Sequence, residues 1–312
     1  MDLSLIISTW NNSKRLQVTL EWISRCKIPV DLEWELVLVN NNCTDNTDEI
    51  VKNFFGKLPL FYVYEPRQGL SLSKNTGLKA SSGKLILFTD DDVKPCPGWI
   101  DTYWGAYQKN PEGFFWGGPI ESEYEKSRPD DELLKYAIMP SVRGLNFGNK
   151  PRLLKHDEFF VSANWACPSE AFNKIGVFDI NKGLNPSSGR IKTGEETDIM
   201  NRLRESGIEG WYLPEASLLH FVPRSKCTIK HVASRLEAEA YNNSIKVINN
   251  YIGSTIFGVP PYLIKMATLN YLKWLWAKIN GKKGFEEYIR FKKTLGMIRR
   301  FRGSFYSKPN LK

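Results

Sequence analysis

Short apolar runs alternate with polar, helix-forming segments over the first hundred residues. The apolar runs are rich in β-branched and aromatic side chains, as strands are: Leu3–Ser8, Glu35–Val39, Leu60–Tyr64 and Lys84–Phe88. The segments between them predict three helices: near Lys14–Arg25, Asp45–Phe55 and Ser71–Ala80. Alternating strands and helices predict an α/β fold in which helices flank a mostly parallel sheet.

The pattern is less regular after residue 110. Strands are predicted at Phe114–Glu121 and Glu158–Ala166, and a short helix near Asp131–Ile138. The Gly-, Ser- and Pro-rich stretch Asn181–Gly194 predicts a mobile loop before a helix at Glu195–Glu205. From Ile229 to Arg302 the chain reads as mostly helical.

Charge is distributed unevenly along the 312 residues. The chain has 43 basic and 34 acidic residues, and 13 basic but only two acidic residues fall between Tyr262 and Lys312. The rest of the chain has 30 basic and 32 acidic residues, a net charge of −2. A nucleic-acid-binding protein would carry basic residues over its body, so this class is disfavoured.

The five cysteines are odd in number, widely spaced and without a CxxC pair. This pattern argues against a disulfide framework or a zinc site and fits a reducing compartment. The first residues, MDLSLIISTWNN, lack the basic region and long apolar stretch of a signal peptide. We therefore expect a cytoplasmic protein.

Three successive aspartates, Asp90, Asp91 and Asp92, follow the predicted strand Lys84–Phe88. Carboxylates packed this closely repel one another, and a bound cation would relieve that repulsion. Mg²⁺ and Mn²⁺ prefer such oxygen ligands together with substrate phosphates. In parallel sheets ligands bind beyond the carboxyl ends of strands, where these aspartates lie. The alternative is a polar loop before the helix that starts near Trp99.

Glu196 lies on the same face of its predicted helix as Met200 and Leu203, at spacings of four and three residues. An inward carboxylate there can act as a general base on a hydroxyl group. Thr193 and Glu196 also have the spacing of a capping box, and Asp198 has Arg202 as an i+4 partner. Spacing alone leaves catalysis and capping open.

Two further polar residues follow apolar runs. His220 can complete a metal site begun by carboxylates, although a lone histidine is more often structural. Arg67 follows a strand end and can meet phosphate, or be an ordinary surface arginine. No P-loop and no GxGxxG after the first strand is present, so phosphate would depend on such basic residues.

Seven segments in order resemble the family 2 glycosyltransferases. They span about Leu3 to Val222: STWNN, VNNNCTDNT, EPRQGLSLSKNTG, FTDDDVKPCPGWI, FFVSANWACPSEAFNKIGVFD, GEETDIMNRL and PEASLLHF. The resemblance implies a GT-A fold, a nucleotide-sugar donor, Mn²⁺ or Mg²⁺, and inversion at the anomeric carbon. It also implies a catalytic domain over residues 1–222, with a donor half to about 110 and an acceptor half to 222. Residues 223–312 would form a helical extension.

The same resemblance implies roles for individual residues. Asp90 and Asp92 match the DxD element, so both are candidate metal ligands, with Asp92 as the direct one and Asp90 or Asp91 as candidates for the ribose. Glu196 matches the base, and His220 a third metal ligand. Other matches imply donor contacts: Ser8, Thr9, Trp10, Arg67, Lys74 and Asn75.

Two positions depart from the family pattern. Asn40 stands where many members have an aspartate that contacts the base, which weakens any preference for uracil. The usual Glu-Asp pair is Glu195-Glu196 here, so Glu195 and Asp198 remain candidates for the base beside Glu196.

Aromatic and basic residues are mixed in the C-terminal segments Tyr271–Lys283 and Tyr288–Arg302. Such a mixture favours peripheral contact with the anionic inner face of a cell membrane, while the alternative is helices with a solvated basic face. A glycan or lipid-linked acceptor would suit a surface-polysaccharide enzyme. The other functions considered are a cation-dependent nucleotidyltransferase and a sugar- or nucleotide-binding protein that has lost catalysis.

Overall fold

The computed structural model describes residues 1–137, 142–184 and 194–307, without the side chains of Lys246 and residues 304–307. The chain divides into two compact units. The first comprises Met1–Glu123 and Gly144–Phe221, and the second comprises Tyr124–Arg143 and Val222–Lys312. Residues 124–143, which the sequence placed in the acceptor half, therefore group with the C-terminal helices.

An eight-stranded sheet forms the centre of the first unit, in the order β3-β2-β1-β4-β9-β6-β10-β8. Its strands are β1 (Leu3–Thr9), β2 (Trp34–Asn40), β3 (Leu60–Tyr64), β4 (Leu85–Thr89), β6 (Phe114–Gly117), β8 (Arg152–Leu153), β9 (Trp165–Pro168) and β10 (Glu209–Tyr212). The first four pair in parallel, and β9 runs antiparallel to both β4 and β6. Most side chains of β1, β2 and β4 are buried, as expected of strands covered on both faces.

The described part of this unit contains six helices. They are α1 (Ser13–Ile23), α2 (Thr47–Lys52), α3 (Leu70–Ala80), α4 (Trp99–Lys109), α6 (Ser169–Ile175) and α7 (Glu195–Glu205). The predicted α/β fold is confirmed, and α7 has the predicted bounds. The predicted loop Asn181–Gly194 lies mostly outside the described residues.

Two predicted strands of the middle region are wrong in part. Phe114–Glu121 is divided between β6 and β7 (Ile120–Tyr124), because Gly118 and Pro119 interrupt it. Only the end of Glu158–Ala166 is a strand, β9. Before it, the Asn164 amide N–H donates to the Val161 carbonyl in a turn, and the Asn164 side-chain oxygen accepts from the Trp99 indole and the Tyr103 hydroxyl.

A second, three-stranded sheet has the order β5-β11-β7, where β5 is Val93–Pro95 and β11 is Leu218–Val222. β11 runs antiparallel to β5, and His220 is paired with Val93. The sequence suggested that His220 follows a strand, but the structure places it inside β11. This register matters because Val93 directly follows the three aspartates.

The second unit is helical. It contains α5 (Asp131–Tyr136), α8 (Ile229–Asn243), α9 (Ile245–Asn249), α10 (Pro261–Ile279) and α11 (Phe285–Ser307). Leu133 and Leu134 of α5 share a buried cluster with Val232 and Ile289, which explains why residues 124–143 group with this unit. Among the described helices, none combines the length and apolar character needed to cross a bilayer.

Gly118 lies where the backbone of Ala216 leaves no space for a side chain. A Cβ atom built there would lie 2.0 Å from the Ala216 carbonyl oxygen, which belongs to rigid backbone. We expect Gly118→Ala to lower the free energy of unfolding by about 1–3 kcal/mol, the usual cost of overpacking. Gly113→Ala is the matched control, because a Cβ there meets no atom within 4 Å. Equal denaturation midpoints for both variants would contradict this expectation.

Candidate active site

The carboxyl ends of β1, β2, β3 and β4 meet at one edge of the main sheet, because these neighbouring strands are parallel. The loops that follow them therefore come together. They carry most of the residues singled out from the sequence, including Trp10, Asn40, Arg67 and the aspartate triplet.

His220 lies against two of the three aspartates. Its Nε2 atom is 3.3 Å from an oxygen of Asp92 and 4.0 Å from an oxygen of Asp90. The second sheet positions it: the Phe221 amide N–H, one residue later, donates to the Asp92 carbonyl oxygen at 2.9 Å. The three residues predicted as metal ligands are thus brought together.

This group fits a divalent cation. Asp90, Asp92 and His220 each offer one ligand atom, and these atoms lie within 4.8 Å of one another. Burial and the charge of Asp92 raise the pKa of Asp90, a repulsion that a cation would relieve. The buried Nδ1 of His220 has no hydrogen-bond partner among the described residues, and Nε2 is the ring nitrogen that faces the two aspartates. Carboxylate and imidazole ligands suit Mn²⁺ and related ions.

Asp91 differs from its two neighbours. Its carboxylate accepts hydrogen bonds from the Thr9 hydroxyl at 2.6 Å and the Asn12 amide at 2.8 Å. Burial and the nearby charge of Asp92 raise its pKa to about 8 despite these bonds. Asp91 therefore ties β4 to the loop after β1, a contact that sequence reasoning missed. Asp90 and Asp91 are both candidates for the ribose. The two hydrogen bonds occupy the carboxylate of Asp91, which makes Asp90 the better candidate.

The loop after β1 presents an aromatic surface. Trp10 is 41% exposed, whereas the neighbouring Thr9 is buried. The Ser8 hydroxyl oxygen is buried and has no hydrogen-bond partner in the described part of the chain. Asn11 adopts a left-handed conformation with φ of 49°, and its side-chain oxygen accepts from the Thr44 amide. This bond fixes the loop beside the end of β2.

Asn40 is buried, and its amide is engaged on both sides. Its oxygen accepts from the Cys43 amide at 2.7 Å, and its nitrogen donates to Asp48 and to the Tyr62 hydroxyl. These contacts line a pocket of about 520 Å³ beside α2 and β3. Asn40 therefore helps to shape this pocket. Both polar atoms of its side chain already have hydrogen-bond partners, so a contact with a nucleotide base would have to replace one of them.

Arg67 extends from the end of β3 and is held by Glu65. Its side chain is 70% exposed, and its guanidinium donates to both carboxylate oxygens of Glu65 at 2.9 and 3.1 Å. The bonds from Arg67 outweigh desolvation and lower the pKa of Glu65 to about 2. Arg67 is therefore a surface arginine that is ion-paired with Glu65, and its contact with phosphate stays a prediction.

Glu195, Glu196 and Lys74 form a buried charged cluster at the start of α7. The Lys74 ammonium lies 2.5 Å from Glu196 and 3.9 Å from Glu195, and its side chain is 4% exposed. Desolvation and the charge of Glu196 raise the pKa of Glu195 to about 8. Desolvation also acts on Glu196, but the Lys74 charge and its hydrogen bonds outweigh it and lower the pKa of Glu196. At neutral pH, Glu196 is the ionised member of the pair.

Lys74 therefore lies with the acidic pair on α7, whereas the resemblance implied a contact with the nucleotide. The charge of Asp90 also helps to raise the pKa of Lys74, so its ammonium acts on both acidic groups of the site. Asn75 is directed elsewhere, because its amide exchanges two hydrogen bonds of 2.9 Å with the Phe178 backbone. This places Asn75 in a structural contact.

The contacts of α7 bear on the two roles considered for Glu196, general base and helix cap, and on Asp198 as another candidate base. The residue before the helix is Gly194, with φ of 98°, and among the described residues no side chain caps the start of the helix. Thr193 lies outside the described residues, and Glu196 pairs with Lys74. Asp198 binds Arg202, its predicted partner, at 2.7 Å and also pairs with Lys182. Asp198 is thus shared between two basic side chains, whereas Glu196 has one, Lys74, and is more deeply buried (side chains 23% and 13% exposed); this difference favours Glu196 as the candidate base.

We expect Lys74→Met to lower the stability of the fold and to shift the pH dependence of any reaction that uses Glu196. Removing one partner from a buried ion pair costs about 3–5 kcal/mol. Without the ammonium, desolvation raises the pKa of Glu196, and the acidic limb of a rate–pH profile moves to higher pH. Lys84→Met is the control, since Lys84 pairs with Asp2 on the surface with its side chain 68% exposed. An unmoved acidic limb in a folded Lys74→Met protein would refute the role of Lys74.

Comparison with known proteins gives a consistent result. The family model described as "Glycosyl transferase family 2" matches residues 4–176, more than half of the chain. Chondroitin synthase of Escherichia coli is 30% identical over 103 residues, which cover 32% of this chain and 15% of that protein. Glucosyl-dolichyl phosphate glucuronosyltransferase of Haloferax volcanii is 22% identical over 187 residues, or 59% of this chain and 58% of that protein. The chain therefore spans less than two thirds of these relatives.

Solved structures share the fold at low sequence identity. The mannosyltransferase PcManGT of Pyrobaculum calidifontis, in complex with GDP-Man and Mn²⁺, has a TM-score of 0.59 at 16% identity. The alignment covers 98% of this chain and 88% of that one. S. aureus TarS 1–349 with UDP-GlcNAc has a TM-score of 0.56 at 14% identity, covering 100% and 93%. The predicted GT-A architecture is thereby confirmed, and the family match over residues 4–176 shows that the chain belongs to glycosyl transferase family 2.

Proposed function

We propose that the protein is an inverting glycosyltransferase that moves a sugar from a nucleoside diphosphate to a hydroxyl acceptor. The observation that carries this proposal is the grouping of Asp90, Asp92 and His220 at the sheet edge, in the same unit as the buried, ionised Glu196. A metal-ligand group and a general base are the two parts that such a transfer requires.

Asp90, Asp92 and His220 would hold a divalent cation, Mn²⁺ or Mg²⁺. When bound, the cation supplies positive charge that offsets the charge developing on the departing nucleoside diphosphate. Two structural neighbours, one solved with GDP-Man and Mn²⁺ and one with UDP-GlcNAc, support a nucleotide-sugar donor.

The chain's own groups would bind the rest of the donor. The exposed indole of Trp10 offers a stacking surface for the nucleotide base, and the fixed guanidinium of Arg67 offers charge for phosphate. Ser8, at the same edge of the sheet, has a buried hydroxyl oxygen without a hydrogen-bond partner among the residues that the structure describes. Asp90 is our candidate for the ribose, with Thr9 and Asp91 holding the loops together.

Glu196 would take the proton of the acceptor hydroxyl as that oxygen attacks the anomeric carbon. Lys74 keeps Glu196 ionised, and the neighbouring Glu195 retains its proton at neutral pH. A single displacement of this kind forms the new glycosidic bond as the bond to phosphate breaks, and it inverts the anomeric configuration. Glu196 is therefore assigned as the base, with Glu195 as its hydrogen-bonding partner.

The alternative functions have less support. A nucleotidyltransferase would need basic groups for a triphosphate near β1, where only Lys14 and Arg15 follow, and Arg15 stacks on Phe221 at 3.2 Å. In a binding protein without catalysis, the buried pair of Lys74 and Glu196 would serve only the fold, and its lowered Glu196 pKa would have no chemical role. The intact metal-ligand group and Glu196 favour the enzyme.

A donor screen tests the proposed activity. The purified chain is incubated with UDP-, GDP-, TDP- and CMP-sugars, with and without Mn²⁺ or Mg²⁺, and release of the nucleotide is followed. We expect cation-dependent release from one donor. The configuration of the released or transferred sugar, read at once by NMR, should be opposite to that of the donor. A retained configuration, or no release from any donor with either cation, would contradict the proposal.

The proposed acceptor is a glycan or a lipid-linked glycan, and the proposed place of reaction is the cytoplasmic face of a membrane. The excess of 13 basic over two acidic residues from Tyr262 to Lys312 supports attraction to anionic lipid. Fractionation of cells tests this: membrane-bound protein should be released when Tyr262–Lys312 is removed. Equal membrane fractions for both forms would contradict it.

A further inference from the structure

Helix α10 is apolar on two opposite faces, although only one of them is packed. Leu263, Ala267 and Ala277 are buried within the second unit. On the other side, residues at spacings of three and four form an outer apolar face, which we define as Leu269, Leu272, Trp276 and Ile279. Their exposed fractions are 46, 54, 62 and 83%. A continuous apolar strip of this length on a surface indicates an interaction site.

A strained turn just before α10 displays another large apolar side chain. Ile256 and Val259 exchange two backbone hydrogen bonds, so Phe257 and Gly258 form the two-residue tip of a small hairpin. Both tip residues have positive φ, 48° and 76°, and Phe257 is 80% exposed. A bulky residue is disfavoured in this conformation, where Asn-Gly is the preferred pair. Its presence at an exposed tip indicates a use other than stability.

The charge of this region decides which partner fits. Between Ala240 and Phe285 the sequence has six lysines and no aspartate, glutamate or arginine. Lys265, Lys273 and Lys278 lie on α10 itself, and all three are exposed. A surface that joins apolar and aromatic side chains to an unbroken set of lysines complements an anionic lipid bilayer.

We propose that the outer apolar face of α10, together with the Phe257 turn, docks on an anionic membrane surface. The apolar side chains would enter the boundary between headgroups and acyl chains, and the lysines would contact lipid phosphates. This inference rests on the proposed membrane contact of the C-terminal region and assigns it to particular residues. It does not depend on which sugar is transferred.

A second copy of the chain is the other occupant that an apolar helix face can have. Pairing two outer apolar faces would bring the lysines of two α10 helices together, without an acidic residue in either helix to pair with them. Such like-charge contacts disfavour association. The charge pattern therefore favours lipid over self-association.

Flotation with vesicles tests the proposal on the full-length chain. Phosphatidylcholine vesicles, with or without roughly a third of phosphatidylglycerol, provide neutral and anionic surfaces. We expect flotation with the anionic vesicles and a loss of at least about tenfold in the partition coefficient for Leu272→Glu/Trp276→Glu. Phe61→Glu/Leu153→Glu is the matched control, because these two residues are 51 and 49% exposed on the first unit. Its partitioning should stay within about twofold of wild type.

Phe257→Asn separates docking from a structural role. Asparagine tolerates positive φ, so the variant should keep or raise the denaturation midpoint while its partition coefficient falls. Lower stability with unchanged partitioning would show that Phe257 serves the fold and would overturn its part in docking.

The remaining outcomes each have one meaning. Wild-type flotation that the α10 variant retains would overturn the docking face but leave the membrane contact standing. No flotation of the wild type would overturn both. A dimer in size-exclusion chromatography that Leu272→Glu/Trp276→Glu converts to monomer, with flotation unchanged, would assign the face to a second copy. Nucleotide release is assayed without vesicles, so none of these results affects the proposed reaction.

Discussion

Glu196→Gln should reduce sugar transfer by about 10²–10⁴-fold while leaving donor binding nearly unchanged. Glutamine keeps the size and hydrogen-bonding atoms of the side chain but cannot accept the acceptor's proton. The donor, in contrast, is held by groups on the loops after β1 to β4. The effect should therefore fall on kcat, measured by initial rates at saturating donor and acceptor.

Two variants of α7 provide controls for this result. Glu205→Gln changes an exposed glutamate at the other end of the same helix and should leave kcat within about twofold. Glu196→Asp, which restores the Glu-Asp pair common in the family, should retain part of the activity. Turnover of Glu196→Gln at the wild-type rate would show that Glu196 is not the base. If Glu195→Gln in addition abolishes transfer, Glu195 is the base instead.

Asp92→Ala should remove both cation-dependent donor binding and turnover. Asp92 contributes the carboxylate nearest to His220 Nε2, at 3.3 Å, so its loss leaves only Asp90 and His220 as ligands. Loss of the cation removes several kcal/mol of transition-state stabilisation, and we expect turnover to fall by about 10³-fold. The measurement is turnover as a function of Mn²⁺ concentration, together with Mn²⁺ binding followed by electron paramagnetic resonance.

The control for Asp92→Ala is Asp101→Ala, an exposed aspartate in the first turn of α4. It should bind Mn²⁺ and turn over like wild type, apart from a small loss of helix stability. His220→Ala should weaken Mn²⁺ binding less than Asp92→Ala, because both carboxylates remain. Wild-type Mn²⁺ affinity in Asp92→Ala would exclude Asp92 as a ligand.

Much of the fold could be predicted because its signals are local. Buried parallel strands such as Leu3–Thr9 are mostly apolar runs, and a glycine with positive φ, Gly207, follows the last residue and the cap of α7. The parallel order of β1 to β4 then brings their following loops to one edge. For this reason Asp90 and Asp92 could be placed at a site before any contact was known.

Contacts distant in sequence could not be predicted in the same way. Lys74 and Glu196 are 122 positions apart, and nothing in the local pattern of either indicates that they pair. The Asn75 bonds to Phe178 and the Asn12 bond to Asp91 also depend on the tertiary fold. The predicted strand at Glu158–Ala166 failed for a related reason, since Asn164 serves the buried Trp99 and Tyr103 instead of extending a ladder.

One measurement tests the central claim, that one site holds a metal-bound donor and a separate base. The donor found in the screen is titrated calorimetrically, with and without Mn²⁺, into wild type, Asp92→Ala and Glu196→Gln, and turnover is measured on the same samples. The account predicts Mn²⁺-dependent binding in wild type and Glu196→Gln, its loss in Asp92→Ala, and turnover at the full rate in wild type alone. Mn²⁺-dependent binding that survives in Asp92→Ala, or turnover at the wild-type rate in Glu196→Gln, would contradict it.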